Sequence, residues 1–452
     1  MEKTQQDVVG TKKLFGYRHV VVFMLWLIYV INYFDRISVL TFLPLIREDL
    51  HLTHQQIGFA ASIFFFAYAL AQVSAGFLAD KFGPRRVMSI AIVTFTTITF
   101  LTGFMRSMTQ FVLLRLGLGI GEGHHFAPAC RTIADWVPKS EKGRAAAFLS
   151  STWQFAPAVV PIIVTSLAAA LGGWRPVFYF LCIPGLVGIG LLYYFITDKP
   201  ETMLQRGRLP QKEYEYIKAG LLSDEGSSTK LTMKEIMKDV NLWLWAMQQF
   251  FVLAVYWGST AWLTSFLYEQ HGLNLRKMGV MASIPYVLAF IATITGGVLM
   301  DKVFHRTKPV ALISFLTSIP ILMYISRVPK GHTATLIVML MLTGFFTNLV
   351  WGVVNAYPQI RYPKEVVGKV VGLTICIGQM GAFISPLVAG YLVETTPAGV
   401  VSYNKVFLMF AMCSALGAVV TCFLKEGTYT SNKQAGAKNA AGAAAGSVST
   451  SA

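Results

Sequence analysis

The chain has 452 residues, of which 54% are hydrophobic and 13% charged, with a mean hydropathy of +0.56. A soluble domain carries about 25% charged residues; here the apolar residues fall in blocks of about 20, long enough to cross a hydrocarbon core of about 30 Å. A soluble enzyme, a disordered chain and a fibrous protein are excluded, and a multi-span membrane protein in contact with the lipid bilayer remains. The formal charge of +16 does not indicate nucleic acid, because the basic residues sit in short segments between apolar blocks. Five cysteines (Cys130, Cys182, Cys376, Cys413 and Cys422) lie in or beside those blocks with no CxxC pair, which argues against a disulfide framework or a zinc site. No cofactor is called for. Met1 to Arg18 is polar and the first apolar block is too long for a signal h-region, so no cleavable signal is expected.

In chain order, twelve spans are predicted near 19–45, 55–79, 86–105, 109–134, 145–171, 175–196, 241–268, 275–300, 308–326, 333–357, 368–393 and 404–424. The expected fold class is an all-α membrane protein of twelve transmembrane helices in two pseudo-symmetric six-helix halves. Residues 1–18 form a cytoplasmic N-terminus, 19–197 the first half, 198–239 a polar central loop, 240–425 the second half and 426–452 a cytoplasmic tail. The tail is Ala/Gly/Ser-rich from Ser431 and reads as disordered. With the N-terminus inside, inner segments hold 28 Lys and Arg and outer segments 8. The positive-inside rule then predicts that both termini are cytoplasmic.

An internal repeat supports the two halves. Gly76-Phe-Leu78-Ala-Asp80-Lys81 follows the second span, and Gly297-Val-Leu299-Met-Asp301-Lys302 follows the eighth, at an offset of 221 residues. Parallel six-span halves place a transport site at the midplane between them. On these residues the chain resembles the major facilitator superfamily: Gly76 to Arg86 is similar to its signature loop, with Pro84 where a basic or small residue is more usual. Arg115-Leu-Gly117-Leu-Gly119-Ile-Gly121-Glu122-Gly123 resembles a second signature on the fourth span. Tyr33-Phe-Asp35-Arg36, with Glu122, narrows the resemblance to the anion:cation symporter family, whose members carry sugar acids such as galactonate, glucarate and hexuronates, other organic acids, or in animals glutamate and sialic acid. The resemblance spans about residues 15–425.

Four ionisable residues lie deep in the spans: Asp35, Arg36, Arg115 and Glu122. Each charge at a helix centre costs roughly 2.5–3.5 kcal/mol, so two acids with two bases are expected to pair across the first and fourth helices. The alternative to a functional role is a static ionic staple. Tyr29, Tyr33 and Arg36 recur at i, i+4, i+7 and share one face, as do Arg115 and Glu122. Protonation of an acid beside an arginine depends on whether a substrate carboxylate occupies that arginine, which is a physical route to coupling protons with an anion. The resemblance implies that Asp35 and Glu122 are proton sites and that Arg36 contacts the substrate carboxylate, a task suited to a planar fork. Arg115 is a further candidate for anion contact.

Tyr68 and Gln72 on the second span, Gln154 on the fifth, Gln249 on the seventh, Asn348 and Asn355 on the tenth and Gln379 on the eleventh offer hydrogen bonds to a polyol chain. Each alternatively bonds a neighbouring helix. By resemblance, Tyr33, Tyr68, Gln154 and Gln249 match substrate-contacting positions of the sugar-acid members. Tyr256 and Trp257, at the repeat offset from Asp35 and Arg36, are aromatic, which confines proton coupling to the first half. After Glu122-Gly123 the chain carries His124-His125, where the family usually has small residues and proline. A histidine there titrates, shapes the pocket or bonds a neighbouring helix, and its bulk beside Glu122 would shrink the space for a six-carbon sugar acid. Asp80 and Asp301, with Arg85 and Arg86, are expected at a cytoplasmic gate, with loop capping as the alternative. These readings predict a monomeric, proton-coupled symporter for a small organic anion in the bacterial inner membrane. An anion exchanger or an exporter is the alternative within transport, and a non-transporting solute sensor a remote one. No nucleophile–base pair or metal cluster suggests an enzyme.

Overall fold

The computed structural model describes residues 16–222, 233–362, 364–397 and 399–427. The expected disordered tail from Ser431 lies outside the described residues. Among them, eleven helices are long and apolar enough to cross a membrane, from Tyr17–Asp49 to Asn404–Phe423. The remaining expected span, 109–134, is two shorter helices, Met108–Gly123 and Phe126–Trp136, of 16 and 11 residues. Pro128 accounts for the break: it has no N–H for the carbonyl of His124, and its ring would collide with that carbonyl. In the first turn of the second helix the same proline is tolerated. The tenth span is broken as well, into Thr333–Asn348, Trp351–Val354 and Tyr357–Arg361.

Local sequence explains several ends. Thr53 and Gln56 form a reciprocal capping box at the start of His54–Phe82, with bonds of 3.2 and 2.9 Å. That helix ends at Gly83, whose φ of 87° is left-handed, and Pro84 opens Pro84–Thr102. The Pro84 departure from the signature loop is thus a helix start. The glycines of the fourth span serve close approach: a Cβ on Gly119 would collide with the Phe64 carbonyl of the second span, so the two helices pack backbone to backbone. The halves meet where the second span packs on the eleventh and the fifth on the eighth.

Candidate functional site

Arg36 lies near the middle of the first span, 2% exposed, and Glu122 near the end of Met108–Gly123, fully buried. Arg36 donates from Nε and Nη2 to one oxygen, Glu122 Oε2, at 2.9 and 2.7 Å, and from Nη1 to Tyr33 Oη at 3.3 Å. Its guanidinium also sits against four rings: Tyr33 and Tyr68 at 4.6 Å, Phe64 at 4.8 Å and Trp257 at 5.2 Å. Such cation–π contacts hold a desolvated guanidinium without neutralising it. The other carboxylate oxygen, Glu122 Oε1, has no hydrogen-bond partner.

A cavity of about 60 Å³ opens beside Arg36 between the halves. At roughly 10–15 Å³ per water, it has room for a cluster of about four to six waters. Tyr29, Tyr33, Arg36, Tyr68, Gln72, Phe126, Trp153 and Gln154 line it from the first half. From the second come Gln249, Leu253, Tyr256, Trp257, Trp351, Asn355, Ile375 and Gln379. Phe126 and Trp351 each open a helix after the break in their span, so both interruptions abut the cavity. Paired interruptions in corresponding spans are a known mark of a transport site.

Of the residues expected at the site, Tyr33, Arg36, Tyr68, Gln154, Gln249, Asn355 and Gln379 all line this cavity. Glu122 stands behind Arg36. Asp35 is 3% exposed and faces away from the cavity, near Thr99 and within reach of the charge on Glu122. Arg115 does not line the cavity; it lies against Phe64 at 4.5 Å and donates from Nε to the Ala60 carbonyl at 3.3 Å. Asn348 bonds back to Gly344 within its own helix. His125 is buried and stacks on Tyr29 with centroids 5.4 Å apart, so it shapes the cavity from behind that ring instead of filling it. His124 bonds Ser74 and the Ile120 carbonyl.

Among the loop residues, Asp80 pairs with Arg131 at 3.4 Å. The Arg85 backbone N–H donates to Asp198 at 2.7 Å, and its guanidinium donates to the Tyr193 carbonyl. None of these contacts reaches the second half. Arg86 and Asp301 are exposed.

At the end of the bundle away from the termini lies a cluster that sequence reasoning missed. Glu269, 4% exposed, accepts from Arg47 Nε at 2.9 Å and from Tyr403 Oη at 2.7 Å, and lies 2.8 Å from His54 Nε2. Arg47 and His54 belong to the first half, Glu269 and Tyr403 to the second. Tyr268 adds a bond to Glu48, and Thr264 one to the Leu40 carbonyl. These contacts tie the halves together at that end, while Asn355 at the cavity margin toward the other end is exposed.

The family model of the Major Facilitator Superfamily matches residues 25–386 and 278–450. A "probable sulfoacetate transporter" of Cupriavidus necator is 31% identical over 421 residues, covering 90% of this chain and 94% of the relative. A "probable galactarate/D-glucarate transporter" of Escherichia coli is 28% identical over 440 residues, covering 92% and 96%. Among solved structures, an inward-facing, occupied bacterial homologue of the lysosomal transporter Spinster shares the fold with a TM-score of 0.74 at 18% identity, covering 90% of this chain and 97% of that one.

Proposed function

This chain belongs to the Major Facilitator Superfamily, and we propose that it is a proton-coupled symporter that carries a small organic anion into the cell by alternating access. It is a multi-pass membrane transporter and not an enzyme. The observation that carries the finer reading is the buried Arg36–Glu122 pair at the cavity wall. Arg36 is the cation a ligand carboxylate meets, and its Nε and Nη2 are already committed to Glu122 Oε2. A proton on Glu122 weakens that commitment and frees the guanidinium to turn toward the cavity, where the ligand's anionic head takes its N–H groups. One proton and one negative charge enter together, so the buried charge is unchanged and its desolvation cost is not raised. Asp35, near Glu122 and without a paired cation among the described residues, is the place for a second proton.

With the termini in the cytoplasm, the Glu269 cluster closes the outer end and the cavity communicates with the inside. Rocking of one half on the other then exposes Arg36 to the outside. The relatives named for sulfoacetate and galactarate/glucarate support an organic acid as cargo. Uptake of a labelled acid into proteoliposomes tests the reading: an inward proton gradient is expected to drive accumulation and a protonophore to abolish it. Equal uptake driven by sodium at symmetric pH would overturn proton coupling.

A further inference from the structure

We propose that the carried acid has one anionic head and an uncharged, hydrogen-bonding far end, and that Trp351, Gln249 and Gln379 read that end. The inference rests on the organic-anion reading above and narrows its substrate class.

Charge placement comes first. Among the described residues lining the cavity, Arg36 is the only cation, and every one contributed by the second half is neutral. Arg115 is held against Phe64 and outside the cavity. A carboxylate or sulfonate at the far wall would therefore be desolvated against Leu253, Ile375 and neutral groups, without a countercharge. The proton on Glu122 that frees Arg36 balances one negative charge, and a second proton, on Asp35 in the first half, would put no cation beside a second anionic group at the opposite wall.

The far wall also has polar atoms in want of partners. Gln249 Oε1, Gln379 Oε1 and Trp351 Nε1 are buried with no hydrogen-bond partner, on residues 2%, 8% and 9% exposed. Buried polar atoms are paired in nearly all native interiors, so three such atoms on the lining of one cavity are groups that a ligand, or the water it displaces, would meet. The Trp351 ring is held edge-on by Trp153 at 5.6 Å and Tyr256 at 5.8 Å. The indole N–H only donates, and an amide oxygen only accepts. A hydroxyl serves both, since it accepts from Trp351 and donates to a glutamine. A carboxylate accepts only, and it would face two amide oxygens. Turning the amides would offer NH₂ groups but no charge.

Matched acids test this on the purified full-length protein by calorimetry. 3-Hydroxypropionate and malonate differ only in whether the far carbon is a hydroxymethyl or a carboxylate, as do galactonate and galactarate. In whichever pair fits, the hydroxyl-ended acid is expected to bind tighter by on the order of tenfold or more. Trp351→Phe keeps the ring and removes the N–H, and should weaken the preferred acid about 2- to 13-fold. Gln379→Lys adds the missing cation and should reverse the preference toward the diacid. Diacids that bind wild-type protein as tightly as their partners, or tighter, overturn the inference and leave the organic-anion reading standing. Failure of every acid in a broad carboxylate panel overturns both.

Discussion

Glu122→Gln is expected to separate anion binding from proton movement. Two N–H groups of Arg36 converge on Glu122 Oε2 at 2.9 and 2.7 Å, with both residues buried. A glutamine oxygen accepts the same two bonds without the charge. The guanidinium keeps its own charge, so each bond stays charge-assisted, at roughly 1.5–3 kcal/mol; losing the carboxylate charge weakens the contact by on the order of 2 kcal/mol over the two bonds. The ligand-free variant should be destabilised by that order, less than the roughly 3–5 kcal/mol of removing a buried partner outright. The same energy no longer opposes a ligand carboxylate. Wherever the wild-type acid is charged, affinity should rise by on the order of 30-fold and lose its dependence on pH. Calorimetry from acid to alkaline pH reads the first effect. Proteoliposome assays read the second: counterflow persists while gradient-driven accumulation disappears. Accumulation at the wild-type level, or a wild-type pH dependence of affinity, would refute the assignment of Glu122 as the coupled proton site.

Arg36→Lys keeps the charge but loses the fork and the flat face held by Tyr33, Phe64, Tyr68 and Trp257; acid affinity should fall about 10- to 150-fold with melting near wild type, and unchanged affinity would place the carboxylate on another residue. Glu269→Gln removes the charge that Arg47 and His54 share with Tyr403, so the end away from the termini should open more often. Spin labels at the exposed residues His51 and Lys330 should report longer distances, and an unchanged distribution would show that the cluster does not hold the halves closed. At the other end, burial pushes the Asp239 carboxyl up, but hydrogen bonds from Arg361, Asn241 and Tyr362 outweigh it and hold the group below the usual carboxylate range. A depressed folded value means that its stabilising contribution is present above the unfolded value of about 3.9 and is lost as pH falls through the folded one. Asp239→Asn should flatten the acid-side slope of the melting temperature; a retained slope assigns it to other carboxylates.

The spans and the central pair were legible because hydrocarbon thickness and charge burial leave few solutions. Two acids and two bases deep in the first half had to meet, and Arg36 and Glu122 do. Arg115 shows where that logic stops. It shares a face with Glu122, but seven residues of helix are a rise of about 10 Å, so a common face does not mean a common level. Phe64, an unremarkable phenylalanine in an apolar run, lies against both guanidiniums. The Glu269 cluster was illegible for a different reason: its partners Arg47 and His54 are 222 and 215 residues away in sequence, and no local pattern joins them.

The break in the fourth span escaped the hydropathy reading because both pieces are apolar, although Pro128 carried the signal. Its consequence reaches the site. A continuous helix through His124 and His125 would keep the 3.6-residue register from Glu122 onward; the break resets it, so that Glu122 supports Arg36 from behind while Phe126 reaches the cavity and His125 backs Tyr29. The tenth span is interrupted just before Trp351, with Leu349 and Val350 keeping helical backbone angles, and the indole arrives at the opposite wall. The first half thus supplies the cation and its acid, and the second a neutral aromatic and amide wall, with one broken span in each half setting its side chains at the level of the cavity. A substitution that repairs either break, such as Pro128→Ala, therefore acts on the cavity even though it removes no cavity-lining side chain.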